Sequence, residues 1–345
     1  VRVDDHFGDV LDGAGEFTLA RLAEHAVAAE RNGFDGVWAP EVSHDAFLPL
    51  VIAAERSSTL QLGTSVAVAF ARNPMTMAVV ANDLNTLSGG RFVLGLGSQI
   101  QAHIERRFSM PWSAPARRMR EYIAALQAIW HSWYTGDKLD FRGEFYQHTL
   151  MTPMFRPARN AFGPPTVMLA AVGPKMTSVA AEVADGLLAH GFTTARYMRE
   201  ATIPLVMAGL AASGRERSQF TVSCPGLVVT GSTEAERAEA DARVRAQLAF
   251  YGSTPAYRPV LDLHGWGDLH VELNRLSKAG EWDAMASLID DEVLNTFAVV
   301  GEPDAVGKEV VARFGDLVDR FSLYAPYPIT DTVKAAVVSG IKAAV

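Results

Sequence analysis

The sequence predicts a (β/α)8 barrel. Three observations carry that expectation: eight short β-branched runs spread along the chain, Ala-rich stretches of helical period between them, and no low-complexity or Gly/Ser linker to divide it. A parallel sheet needs a long crossover after every strand, and eight such units close into a barrel. A doubly wound sheet would use fewer strands in a less regular alternation.

In order, the expected strands are Val1–Asp4, Phe34–Ala39, Leu60–Phe70, Arg91–Leu96, Thr166–Ala171, Asp185–His190, Phe220–Thr230 and Asp319–Tyr324. Between the first two, a helical period over residues 18–31 stops before Asn32-Gly33. After the third, a helix over 76–87 stops before Ser88-Gly89-Gly90. Two connections exceed the minimum. Residues 101–165 hold a helix over 118–134 and a hairpin-like pair, 139–142 and 144–148, around Gly143; residues 251–299 add further helices around His264-Gly265-Trp266-Gly267. The expectation is one barrel domain over 1–345 with insertions after strands four and seven, each over the barrel mouth or at a subunit contact.

Composition bounds the function. The 345 residues are 49% hydrophobic and 20% charged, with 31 Lys and Arg against 39 Asp and Glu, a net charge of −8. Nucleic acid is not expected as a partner, because neutralising phosphates needs a basic face. No apolar run approaches the roughly 18 residues of a membrane span, and residues 1–6 do not read as a secretion signal. The lone Cys224 forbids an internal disulfide, so a cytoplasmic protein is expected.

Several chemistries lack their motif. The segment Gly95-Leu96-Gly97-Ser98-Gln99-Ile100 misses the third glycine of a dinucleotide fingerprint. No phosphate-binding Gly-x-x-x-x-Gly-Lys run, Gly-x-Ser-x-Gly elbow or His-Glu-x-x-His pair occurs, and no metal site is expected. In a barrel, functional groups belong at strand C-termini. Those ends supply Asp5 and His6, Glu41 and His44, Ser65 to Arg72, Ser98 and Gln99, Val172-Gly173-Pro174, and His190-Gly191. Gly95, Gly97 and Ser98 are small enough to let a flat ring approach the backbone. Pro174 beside Gly173 marks a helix start whose bare amides suit an anion.

Phe34-Asp35-Gly36-Val37-Trp38 with Pro40-Glu41, Leu62-Gly63-Thr64 to Asn73-Pro74, Ser88-Gly89-Gly90-Arg91 to Gly97-Ser98, and the endings Phe297 to Pro303 and Phe321 to Tyr324 together resemble the luciferase-like monooxygenase superfamily. Within it the chain most resembles the F420-dependent oxidoreductases. The resemblance implies a homodimeric barrel that holds coenzyme F420, or alternatively FMN, at its mouth. It implies a bulge in strand three with a non-proline cis peptide at Ser65-Val66 supporting the central ring. It puts Glu41 against the ring system, Ser98 and Gln99 along the coenzyme, and Val172, Gly173, Lys175 and Met176 at its phosphate. Glu41 and His44 are the expected catalytic pair, Glu41 as a proton relay or a fixed acceptor, with His190 a further titratable candidate.

One departure matters. Sugar-phosphate dehydrogenases of this group carry a histidine directly after the acidic residue, where this chain has Val42, and the base after strand four falls near Ile100. Glucose-6-phosphate is therefore disfavoured. Phe70, Trp112, Phe192 and Trp266 lean toward a hydrophobic small-molecule substrate. The cluster Arg106, Arg107, Arg117, Arg118 and Arg120 could meet the anionic tail of F420; the alternative pairs Arg118 and Arg120 with Glu121 and Glu105. The rival functions are an FMN-dependent two-component monooxygenase and a non-catalytic binding barrel.

Overall fold

The computed structural model describes residues 1–8 and 17–345. The β-branched runs are strands buried at nearly every position, as a parallel sheet covered on both faces requires, and their order in space closes a ring. The strands are β1 (Arg2–His6), β2 (Gly36–Ala39), β3 (Gln61–Thr64) continued by β4 (Ala67–Val68), β5 (Phe92–Gly97), the hairpin strands β6 (Phe141–Arg142) and β7 (Gln147–His148), β8 (Thr166–Ala171), β9 (Gly186–Ala189), β10 (Thr221–Val229), β11 (Val299–Val300) and β12 (Arg320–Tyr324). Parallel pairing runs β1-β2-β3-β5-β8-β9-β10-β12 and returns to β1, so eight principal strands form a closed barrel, with β11 added at the edge of β10. Closure leaves no exposed edge in that ring.

The expected strands survive with ends within two residues, the first and fourth running on to His6 and Gly97, except the third. That run breaks in two because β3 pairs Gly63 with Val93 while β4 pairs Ala67 with Leu96. Four steps on one strand oppose three on its neighbour, which is a bulge. Residues 69–71 then turn into a short 3-10 helix rather than extending the strand.

Side chains explain the helices around the ring. Helix α1 (Leu19–Arg31) is capped by the Thr18 hydroxyl, and α2 (Leu48–Arg56) follows the β2 loop. Helix α3 (Pro74–Leu87) begins two residues earlier than its periodicity suggests, because Pro74 fits the first helical position and Asn73 caps it. Helix α4 (Pro115–Thr135) belongs to the first insertion, α5 (Pro174–Val183) follows β8, and α6 (Ile203–Ala212) follows β9. Helix α7 (Glu234–Gly252) opens on a Thr233/Glu236 capping box, and α8 (Pro303–Phe314) and α9 (Asp331–Ala344) pack together on either side of β12.

Among the described residues three cores result. The largest lies between barrel and helices, the smallest (Trp38, Val93, Met168 and Leu188) fills the barrel interior, and another joins Leu227 and Val229 of β10 and Val244 and Leu248 of α7 to Val260, Leu273 and Phe297 of the second insertion. That insertion is therefore packed onto the barrel, over the ends of β9 and β10. At the opposite end, buried Arg320 donates to Asp4 and Gln61 and lies 5.6 Å over the Trp38 ring, closing the barrel floor with a satisfied ion pair. No helix among the described residues is long and apolar enough to cross a membrane.

Candidate active site at the barrel mouth

Side chains alternate along a strand, so residues above the interior layer of Trp38, Val93, Met168 and Leu188 face the mouth. Val66 and Ala170 pack on that layer from above and leave part of their surface open. Val66 is placed there by the bulge, whose Ser65-Val66 peptide is cis. Where the ladder breaks, the Thr64 hydroxyl takes over: it accepts the Gly95 N–H at 2.9 Å and donates to the Gly95 carbonyl at 2.7 Å.

The neighbouring glycines have a different reason from the one expected. A Cβ on Gly95 would sit 1.8 Å from the Thr64 carbonyl oxygen, and one on Gly97 would sit 2.6 Å from Val66 Cγ2. They are bare so that the bulged strand can lie against β5; the approach they permit is by the protein's own chain.

Glu41 leaves β2 and turns toward the same bulge. Its carboxylate accepts the Val68 N–H at 2.7 Å and both oxygens accept from Arg72 Nη1, at 2.7 and 2.6 Å. The other arm of Arg72 reaches Asp45 at 3.0 Å, and Asp45 also accepts the Phe47 and Leu48 amides at the start of α2. This lattice fixes the Glu41 side chain in place and ties three segments together. His44 stands apart from it, stacked on Phe17 at 3.9 Å with no hydrogen bond to the described residues. Ser98 donates to the Gln99 carbonyl, and Gln99, in the left-handed region at φ 59°, folds its side chain back onto the Ile100 amide.

Across the mouth the polar groups are less fully used. Helix α5 starts at Gly173 with no side-chain cap, so the amides of Lys175 and Met176 lack intrahelical acceptors. Space beside Gly173 is open: an added Cβ there meets no atom within 4 Å. A recess runs from this turn (Val172, Thr177) past His190, Phe192 and Thr193 to Ala256 and Val260 of the second insertion. The Thr193 hydroxyl is buried without a partner. His190 Nδ1 accepts the Phe192 N–H at 3.0 Å, Nε2 lies 3.0 Å from the Tyr257 hydroxyl, and the two rings stack at 4.4 Å. Burial pushes the His190 imidazole down to about 4 and the Tyr257 phenol up to about 12, the latter with help from Tyr251. Beside them the Tyr251 and Tyr324 hydroxyls share a bond of 2.7 Å. His6, at the end of β1 and in register with Trp38, is likewise pushed down by burial, against the pull of Asp5 and Asp4.

The predicted residues therefore gather at one end of the barrel, in two groups. Thr193, Tyr257 and the Tyr251–Tyr324 pair lay beyond sequence reasoning, since threonine and tyrosine carry no spacing signature and two of these residues come from the insertion. The arginine pairing is corrected. Arg118 bonds Tyr146 Oη and the Pro111 carbonyl and lies over Phe70, and Arg120 pairs with Glu182. Glu121 instead accepts the amides of residues 144–146 at the hairpin turn, where a Cβ on Gly143 would collide with it. Phe70 and Trp112 meet each other edge to face, with Phe70 fully buried, and Trp266 stacks on His264; Phe192 alone of the four expected aromatics borders the recess. Cys224 is buried, with its thiol pushed up to about 12 by that burial, and is inert.

The luciferase-like monooxygenase family model matches residues 4–320. An uncharacterized protein of Mycobacterium tuberculosis is 58% identical over 310 residues, covering 90% of this chain and 91% of its own. The F420-dependent glucose-6-phosphate dehydrogenase of Nakamurella multipartita is 30% identical over 247 residues, 68% of this chain and 71% of its own. Among solved structures, the coenzyme F420-dependent tetrahydromethanopterin reductase of Methanopyrus kandleri superposes with a TM-score of 0.79 at 18% identity, covering 99% of this chain and 97% of that one.

Proposed function

The chain belongs to the luciferase-like monooxygenase family, and from that premise we propose that it is an F420-dependent oxidoreductase acting on a small organic substrate. The observation that carries the reading is a pairing across the mouth: the part-open Val66 surface on one side, the uncapped start of α5 on the other. A planar ring with a phosphate-bearing arm needs both, an apolar platform and a patch of free amides. The residues fit such a group. Val66 and Ala170 would bear the ring; the Gly173, Lys175 and Met176 amides, with the Thr193 hydroxyl, would hold the phosphate, and Val172 would flank it. Ser65, Ser98 and Gln99 would border the ring from the β3 and β5 ends.

When bound, a deazaflavin supplies a carbon that accepts or releases a hydride. This chain's own residues then orient, shield and handle a proton. Glu41, held by Arg72 and the Val68 amide, keeps the segment after the bulge in place rather than exchanging a proton. His44, which makes no hydrogen bond to the described residues, would be the imidazole on that side to handle one. The second insertion, packed over the ends of β9 and β10, excludes water from the mouth. Val42 stands where the sugar-phosphate enzymes carry their acid, and the recess borders no lysine or arginine, which together support an uncharged substrate over a sugar phosphate.

The test is a pair of equilibrium titrations of the purified protein with F420 and with FMN, followed by tryptophan and cofactor fluorescence. The expected result is a micromolar Kd for F420 and binding of FMN at least about tenfold weaker. Tighter FMN binding, or no F420 binding at about 100 μM, overturns the proposal.

A further inference from the structure

We propose that His190 and Tyr257 form a two-residue donor site that recognises a carbonyl or hydroxyl oxygen of the substrate, with the Tyr257 O–H as the group presented to it. The proposal deepens the reading above and relies on it only in taking the mouth as the place where substrate enters.

Proton bookkeeping leads to this site. A backbone N–H can only donate, so the Phe192 amide fixes Nδ1 of His190 as the acceptor. The ring is buried and neutral at physiological pH, so its one proton is on Nε2. Nε2–H therefore donates to Tyr257 Oη. Among the described residues His190 is the hydroxyl's sole hydrogen-bond partner, which leaves the phenolic proton without an acceptor. A half-buried hydroxyl whose oxygen already accepts from an imidazole is polarised to donate.

Geometry holds the pair still. The two rings are stacked, Tyr251 meets both edge on at 4.9 and 5.8 Å, and Phe192 closes the side at 5.8 Å from Tyr257. The adjoining recess is walled by Ala171, Val172, Ala256 and Val260, with no charged side chain along it among the described residues. Such a surface suits an uncharged organic molecule bearing one acceptor oxygen. A carboxylate or phosphate substrate would find no cation at the His190 end, and the amides at the α5 end would be taken by the cofactor's phosphate. Tyr257 comes from the second insertion and His190 from the position just past β9, so the site exists only when the insertion is docked.

The experiment uses the full chain, without cofactor, labelled with 15N-histidine. Nitrogen shifts at neutral pH report the His190 tautomer, assigned by its loss in His190→Gln. Cyclohexanone serves as the oxygen-bearing probe, methylcyclohexane as its counterpart without oxygen. The expected results are an Nε2–H tautomer, a His190 shift on adding cyclohexanone, and about 3- to 10-fold weaker cyclohexanone binding in Tyr257→Phe with methylcyclohexane binding unchanged. An Nδ1–H tautomer, a protonated ring at pH 7, no His190 shift with the ketone, or equal ketone binding in Tyr257→Phe each overturns the proposal. The tautomer is read on the wild-type protein and the variant serves only to assign it; should His190→Gln not fold, His190→Phe, which keeps a ring against Tyr257, gives the same assignment. Since no cofactor is present, failure of F420 to bind leaves this result standing, and failure here leaves the F420 titration standing.

Discussion

The two sides of the barrel mouth are built on opposite principles. On the β2–β5 side the chain is wedged against itself: Thr64 bonds twice to Gly95, Glu41 and Asp45 share Arg72, and bare glycines let the bulge press on β5. On the β8–β10 side, donors are left over: the first amides of α5, the Thr193 hydroxyl and the Tyr257 proton. Apart from His44 and the unpartnered Trp38 Nε1–H, that side offers a ligand mainly its shape. An unsaturated side in a stable protein invites a partner, because an unpaired buried donor costs about 1–3 kcal/mol until it is met. The division of labour follows: one wall sets position and the other recognises.

The comparison breaks most directly at two glycines. In Gly95→Ala the new methyl meets a backbone carbonyl that cannot swing aside, so the loss is expected to reach about 3 kcal/mol or more, or to leave no soluble protein. Gly173→Ala adds the same methyl to open space at a helix start and should cost less than about 1 kcal/mol. Urea unfolding of the two variants beside wild type measures both. Similar losses at the two positions would mean that the mouth is not divided as described.

Acid sharpens the contrast through His190. Its folded-state pKa of about 4 lies below the 6.5 of an unfolded histidine, so the unfolded chain takes up the proton first. Stability from this group is whole above about pH 6.5 and drains away as pH falls toward 4, by about 2–3 kcal/mol. Unfolding free energies at pH about 7 and about 4.5 should therefore fall less steeply in His190→Gln than in wild type. Equal slopes would place the charge-sensitive side elsewhere, with His6 the next group to examine, since burial lowers its pKa too.

How much of this was legible in the sequence depends on the range of the interaction. Strands and their ends were readable because β-branched runs and Gly or Pro stops are local, and the mouth residues followed from the barrel itself. The bulge at 65–66 came through resemblance; nothing in Leu62 to Phe70 taken alone breaks that run. The true partner of Glu41 lies 31 residues away, that of His190 lies 67 away, and Arg120 reaches Glu182 across the first insertion. Such pairs are chosen by tertiary packing, which leaves no period in the chain. The small residues after strand four show the same limit: composition announced a close approach, but only the fold says that what approaches is β3.

The smallest effect separates side chain from backbone on the open wall. Lys175 is exposed on the first turn of α5, where its ammonium could meet a phosphate only through water-rich surroundings. The fixed amides and the helix dipole, by contrast, act at contact and are little screened. Lys175→Ala should therefore weaken F420 binding by about 2- to 5-fold in dilute buffer and leave it unchanged at about 0.5 M salt. A loss that persists at high salt would make the lysine a direct ligand. Recognition on this wall would then rest on a charged side chain, and the unspent backbone donors would need another purpose.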